Sequence, residues 1–410
     1  MKRSRSRLSM EVHLVWGGLA RPQERAQYGA IYRDGPKCGK LRVALMHKEA
    51  MTATNMKELP LPPHFEASNA ERWEYRPDQQ ALFDAAQQWR REHDIQPAAA
   101  AARNVHLLIV DMQKDFCFPE GTLYVGGRSG RGAIEDSARL ASFIYRNLEN
   151  LTDITTTMDT HFAYQIFFAS FWLGSGDIPL SPYRTVTAED IKSGEARPNP
   201  DLAWWLAGGD YDWLLKQAQF YCEELEREGK YTLYLWPPHC VLGSEGHSLV
   251  GVIHEARLFF SFARGSQSWV ELKGDHPLTE HYSVFRPEVT RQFDGSPLAE
   301  GNQELVNDLL SADALIIAGE ASSHCVKNSV DDLLGEIEAR DPSLASKVYL
   351  LTDCMSAVTV PDGKGGFLAD FTPEAEAALA RYAEAGMHLV RSTEPMESWP
   401  GLGTEANETD

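Results

Sequence analysis

The chain has 410 residues, 43% of them hydrophobic, and a formal net charge of −20, enough for a buried core in one large domain or two ordinary ones. Its apolar runs stop short of the ~18 residues a membrane helix needs, residues 1–30 lack the apolar core of a secretory signal, and the acidic body repels nucleic acid and anionic membranes. Six cysteines without a CxxC pair fit a reducing compartment, so the expected address is the cytoplasm.

The first 50 residues run against the rest of the chain, with 11 Lys/Arg against 4 Asp/Glu. Their composition reads as a disordered arm, a transit peptide or a stretch upstream of the working start, with Met51 and Met56 as alternative starts. Residues 80–93 have helical spacing and 94–104 read as a connector, so 1–104 form an N-terminal extension without chemistry. From 105 the pattern changes. Short apolar strands at 105–110, 154–158, 269–272, 314–319, 348–352 and 387–390 alternate with amphipathic helices. That alternation predicts a three-layer α/β/α domain over 105–394 with a mostly parallel sheet of about six strands. Residues 395–410 are polar and Pro/Gly-punctuated, and read as a disordered tail.

In such sheets ligands bind beyond the carboxyl ends of the strands. Strand 105–110 runs into Asp111, a place for a helix cap or a proton carrier. Strand 154–158 leads to Asp159 and His161, which are two apart; in extended chain both side chains leave one face and can converge on a cation. Strand 269–272 delivers Lys273, either solvated or set to tune a neighbour. Strand 314–319 delivers GEASSHCV, with Cys325 in the first turn of a helix expected over 323–334. Unpaired N–H groups and the helix dipole favour a thiolate there, and a nearby ammonium favours it further. The alternative is a small buried hydrophobe, the reading given to Cys222 and Cys354. Together, a carboxylate, an ammonium and a thiol at three strand ends form a complete set for nucleophilic catalysis.

Five motifs in order, DMQKDF (111–116), DTH (159–161), WPPHC (236–240), LKGDHPLTEHYSVF (272–285) and GEASSHCV (319–326), resemble the isochorismatase-like cysteine hydrolases, and within them the nicotinamidases (pyrazinamidases). The resemblance implies a triad of Asp111, Lys273 and Cys325 and a metal site of Asp159, His161 and His239, holding Zn²⁺ or else Fe²⁺ or Mn²⁺. It also implies a cis peptide at Glu320–Ala321, an oxyanion hole from the backbone N–H groups of Ala321 and Cys325, and a flat substrate ring between Phe116 and Trp236 with Tyr282 close by. The metal-free branches lack or alter the histidine motif that stands here. The implied activity is hydrolysis of nicotinamide or a similar heteroaromatic amide through a thioester, in NAD salvage, by a homo-oligomer with no nucleic-acid or membrane partner.

The chain departs from the family in two ways. After Asp159 and His161 the family usually continues with a Pro and a second His, where this chain reads HFAYQIFFASFW. An insert of 74 residues (162–235) also separates His161 from Trp236; its aromatic residues suit a lid, a dimer surface or the packing of an amphipathic helix. The alternatives are therefore a related hydrolase of another small amide, carbamoyl compound or ester, and a binding or assembly protein that keeps the fold without turnover.

Overall fold

The computed structural model describes residues 56–228 and 231–403; the basic first 50 residues lie outside them. Six strands, β1 (Val105–Val110), β2 (Asp153–Asp159), β3 (Trp269–Lys273), β4 (Ala314–Gly319), β5 (Val348–Leu351) and β6 (His388–Val390), form one sheet. All are parallel, in the order β6-β5-β4-β1-β2-β3. The central strands β1 and β4 are unbroken apolar runs, VHLLIV and ALIIAG, buried from end to end, as a sheet covered on both faces requires.

Among the described residues, the helices of eight or more residues are α1 (Gln79–Glu92), α2 (Gly132–Arg146), α3 (Tyr211–Glu228), α4 (Gly251–Arg264), α5 (Gln303–Leu310), α6 (Cys325–Arg340) and α7 (Thr372–Glu384). Successive residues of a strand face opposite ways, and β1 shows it. Leu107 and Ile109 enter a core with α1, α2 and α4, whereas Leu108 and Val110 enter another with α5, α6 and α7. This is the three-layer α/β/α arrangement expected. Helix α6 begins at Cys325 rather than 323 and runs to Arg340, because Ile337 in its last turns is still buried in the core.

Two further features differ from the sequence reading. The described part of the extension is built into the main core: Leu59, Leu82, Ala86, Trp89 and Ile95 are buried there, and Tyr75 and Tyr145 both donate to the Glu255 carboxylate. The tail read as disordered from 395 is ordered to 403, because Trp399 is an apolar anchor, stacked between Phe143 (5.8 Å) and Tyr349 (5.6 Å). Residues 404–410 lie outside the described ones.

The insert has a core of its own. Leu214, Ala218, Tyr221, Cys222 and Leu225 of α3 pack with Phe167, Phe168, Phe171 and Trp172. A short strand, Leu233–Leu235, then pairs antiparallel with Arg184–Val186 and returns the chain towards the sheet.

Candidate active site

Chain connections leave β1 and β4, which are neighbours, in opposite directions along the sheet, and such a switch point opens a crevice at the strands' carboxyl ends. Register makes the ends level: Val110 lies opposite Gly319, and Asp159 opposite Lys273. The residues that follow all emerge on one edge. At Gly319, φ is +122° and a Cβ would collide with the carbonyl oxygen of Val110, so only glycine lets the turn leading to Cys325 pass this close to β1.

Asp111, at the end of β1, is fully buried. Its backbone N–H donates to Thr157 Oγ1 at 3.1 Å, and that hydroxyl donates back to its carboxylate. Lys273, also buried, places Nζ 2.8 Å from Asp111 Oδ2, 3.0 Å from Asp159 Oδ1 and 3.5 Å from Cys325 Sγ, and donates to the His281 carbonyl at 3.1 Å. Burial disfavours its ammonium, but Asp111 and Asp159 outweigh burial and hold its pKa well above the usual value.

Cys325 opens α6. Burial pushes its thiol well above the usual range, and the neighbouring Lys273 only partly opposes this. The thiolate expected from the helix terminus is therefore not the resting form; desolvation wins, and the thiol holds a proton within reach of Asp111, which burial pushes up from the usual carboxylate value. The Glu320–Ala321 peptide before it is cis. Among the described residues, neither Ala321 nor Cys325 commits its N–H to a backbone carbonyl.

Asp159, His161 and His239 bring one donor atom each within 4.8 Å of one another. The sequence splices their segments: His161 N–H donates to Cys240 O and Leu242 N–H to His161 O, while Asp115 accepts from Cys240 N–H at 2.7 Å. His161 Nδ1 donates to Gly274 O (3.0 Å) and His239 Nδ1 to Pro237 O (2.8 Å). Both Nε2 atoms thereby face Asp159 Oδ2, at 3.0 and 3.7 Å. Burial works against the Asp159 carboxylate, yet His161 and Lys273 hold it well below the usual range. One carboxylate and two imidazoles with oriented rings fit a divalent cation.

Phe116, Trp236 and Tyr282 line a cleft above Cys325 that is partly open to solvent, with Phe167 and Glu280 among its other walls. The structure thus gathers every residue the sequence singled out. It adds others to which the sequence reading gave no role. Gln113 clamps Asp159 through both backbone groups, accepting from N at 2.7 Å and donating to O at 2.8 Å. Phe167 and Phe168 pack against His161 (4.9 and 5.5 Å) in the stretch that lacks the family's second histidine.

No family model matches the chain. Over 128 residues it is 30% identical to the nicotinamidase of Escherichia coli (strain K12), a match spanning 30% of this chain and 47% of that protein's length. Among solved structures, the yeast nicotinamidase bound to the inhibitor nicotinaldehyde overlaps at TM-score 0.42 and 20% identity, covering 70% of this chain and 99% of the other. The nicotinamidase/pyrazinamidase of Acinetobacter baumannii gives 0.40 and 18%, covering 71% and 97%. The zinc complex of Pyrococcus horikoshii pyrazinamidase gives 0.37 and 18%, covering 70% and 99%. The sequence match and the five motifs set the chain's likeness with the nicotinamidase branch of the isochorismatase-like cysteine hydrolases.

Proposed function

We propose that the protein is a cysteine amidohydrolase that converts nicotinamide, or a similar flat heteroaromatic amide, to the acid and ammonia. The observation that carries this reading is the position of Lys273 Nζ, in contact with Asp111, Asp159 and Cys325 beneath one cleft.

In this mechanism Asp111 takes the Cys325 thiol proton as sulfur attacks the amide carbon. The N–H groups of Ala321 and Cys325 receive the oxyanion, each such donor being worth roughly 3–4 kcal/mol in other enzymes. Asp111 then passes its proton to the departing ammonia, leaving a thioester on Cys325. A water gives a proton to Asp111 and adds to the thioester; the acid leaves, and the thiol regains its proton. Lys273 stays charged throughout and balances the buried carboxylates and the transient thiolate. A divalent cation bound by Asp159, His161 and His239, with Zn²⁺, Fe²⁺ and Mn²⁺ all suited to that donor set, would supply a Lewis-acid anchor for a ring nitrogen.

No described helix is long and apolar enough to cross a membrane, and the proposed address is the cytoplasm, with a role in NAD salvage. Because the insert places Phe167 in the cleft wall, a second reading keeps the same nucleophile but takes another small amide, carbamoyl compound or ester. Purified protein incubated with nicotinamide is expected to release ammonia, and to lose that activity on chelation and regain it with added metal. Absence of release while Cys325 remains readily alkylated would transfer support to the second reading.

A further inference from the structure

Glu280 is buried in the cleft wall, and the mechanism above does not use it. Two tyrosines from the insert segment hold it: Tyr221 of α3 and Tyr231 both donate to Oε2, at 2.8 and 3.1 Å. Tyr221 also accepts from the Glu280 backbone N–H at 2.9 Å, so its hydroxyl is used in both directions. On the other oxygen, Oε1 accepts from Tyr282 at 2.9 Å, and Tyr282 accepts in turn from Trp236 Nε1 at 2.8 Å. The relay runs from the insert's core to the two aromatic rings that face the nucleophile turn, each packed against His324, at 5.7 Å for Trp236 and 5.8 Å for Tyr282.

We propose that Glu280, held by Tyr221 and Tyr231, is the positioning residue of this wall and makes the cleft select a flat ring. A Tyr282 hydroxyl that donates to Glu280 and accepts from Trp236 has no donor left for a ligand, and the indole N–H is spent as well. The wall therefore offers ring faces and edges rather than hydrogen bonds, in a fixed orientation, and a planar ligand gains stacking that a compact aliphatic one cannot. This inference rests on the cleft above Cys325 being the ligand site.

The test compares labelling of Cys325 by phenacyl bromide, a flat aryl alkylating agent, with labelling by iodoacetamide, each located by mass spectrometry and normalised to glutathione. Wild type is expected to favour the aryl reagent by about tenfold or more. In Glu280→Leu and in the milder Tyr221→Phe, both checked for folding by thermal melting, that preference falls by at least about fivefold while the iodoacetamide rate stays within about twofold. Glu280→Gln, which keeps an acceptor oxygen for Tyr282, recovers most of it. An unchanged preference in folded Tyr221→Phe and Glu280→Leu, or an equal fall in both labelling rates, overturns the proposal. A wild type that shows the ring preference but releases no ammonia from nicotinamide supports it while removing nicotinamide as the substrate.

Discussion

Each of the buried charges at the strand ends is tolerable because of the others. Lys273 stands between Asp111 and Asp159, and removing one partner of a buried ion pair leaves an uncompensated charge. Lys273→Met is therefore expected to abolish turnover and to lower stability by about 3–5 kcal/mol in urea unfolding. Cys325→Ala removes no charge, so the protein should keep its melting temperature and bound metal while turnover drops at least about a thousandfold. Gly274 makes a separate prediction. It has φ +84°, a Cβ there would lie 2.5 Å from His161 Cε1, and its carbonyl holds His161 Nδ1. Gly274→Ala should weaken metal binding by about 10–100-fold, as loss of a ligand's outer support does, read by competition with a chromogenic chelator.

At the level of elements, the central strands were legible because VHLLIV and ALIIAG are short apolar runs, and Asp111, Asp159 and Lys273 stand at strand ends. DMQKDF displayed Asp111 and Phe116, but nothing local announced that Gln113 would clamp Asp159 or that Asp115 would hold the WPPHC turn. Those contacts depend on how segments 46 and 125 residues apart are brought together. The pairing of α3 with Glu280 is less legible still, since Tyr221 reads as one more apolar position on an amphipathic helix. Helix position also misled for the thiol, because the dipole argument omits the burial that sequence does not show.

The same pairing predicts a pH effect. Burial, ahead of the opposing tyrosine hydrogen bonds, pushes Glu280 up to about 8 from its ordinary value of 4.5. Between those values the folded protein keeps a proton that the unfolded chain has released, so stability falls as pH rises through that window, by at most about 5 kcal/mol. Unfolding free energies of wild type at pH 5, 6.5 and 8 should slope downward more steeply than those of Glu280→Gln. Parallel slopes would show that Glu280 titrates near its ordinary value.

For the molecule as a whole, the segment before β1 is part of the domain rather than an appendage. Trp89 and Leu82 of α1 are buried in the main core, and each such side chain contributes about 1.5–3 kcal/mol. A protein beginning at residue 105 should melt at markedly lower temperature than the full chain or fail to fold.

The separate core of the insert has an evolutionary consequence. The residues proposed as nucleophile, base, ammonium and cation ligands are all fixed by strand ends, turns and the sheet's register, whereas one wall of the cleft is braced from a segment whose apolar residues pack largely among themselves. Mutations in that segment beyond Phe167 and Phe168, which pack on His161, can accumulate without touching the reacting groups. Selection can therefore retune which ligand enters while inheriting the reaction unchanged, and grafting 162–235 onto a relative is a direct way to exchange ligand preference between two chains that share one chemistry.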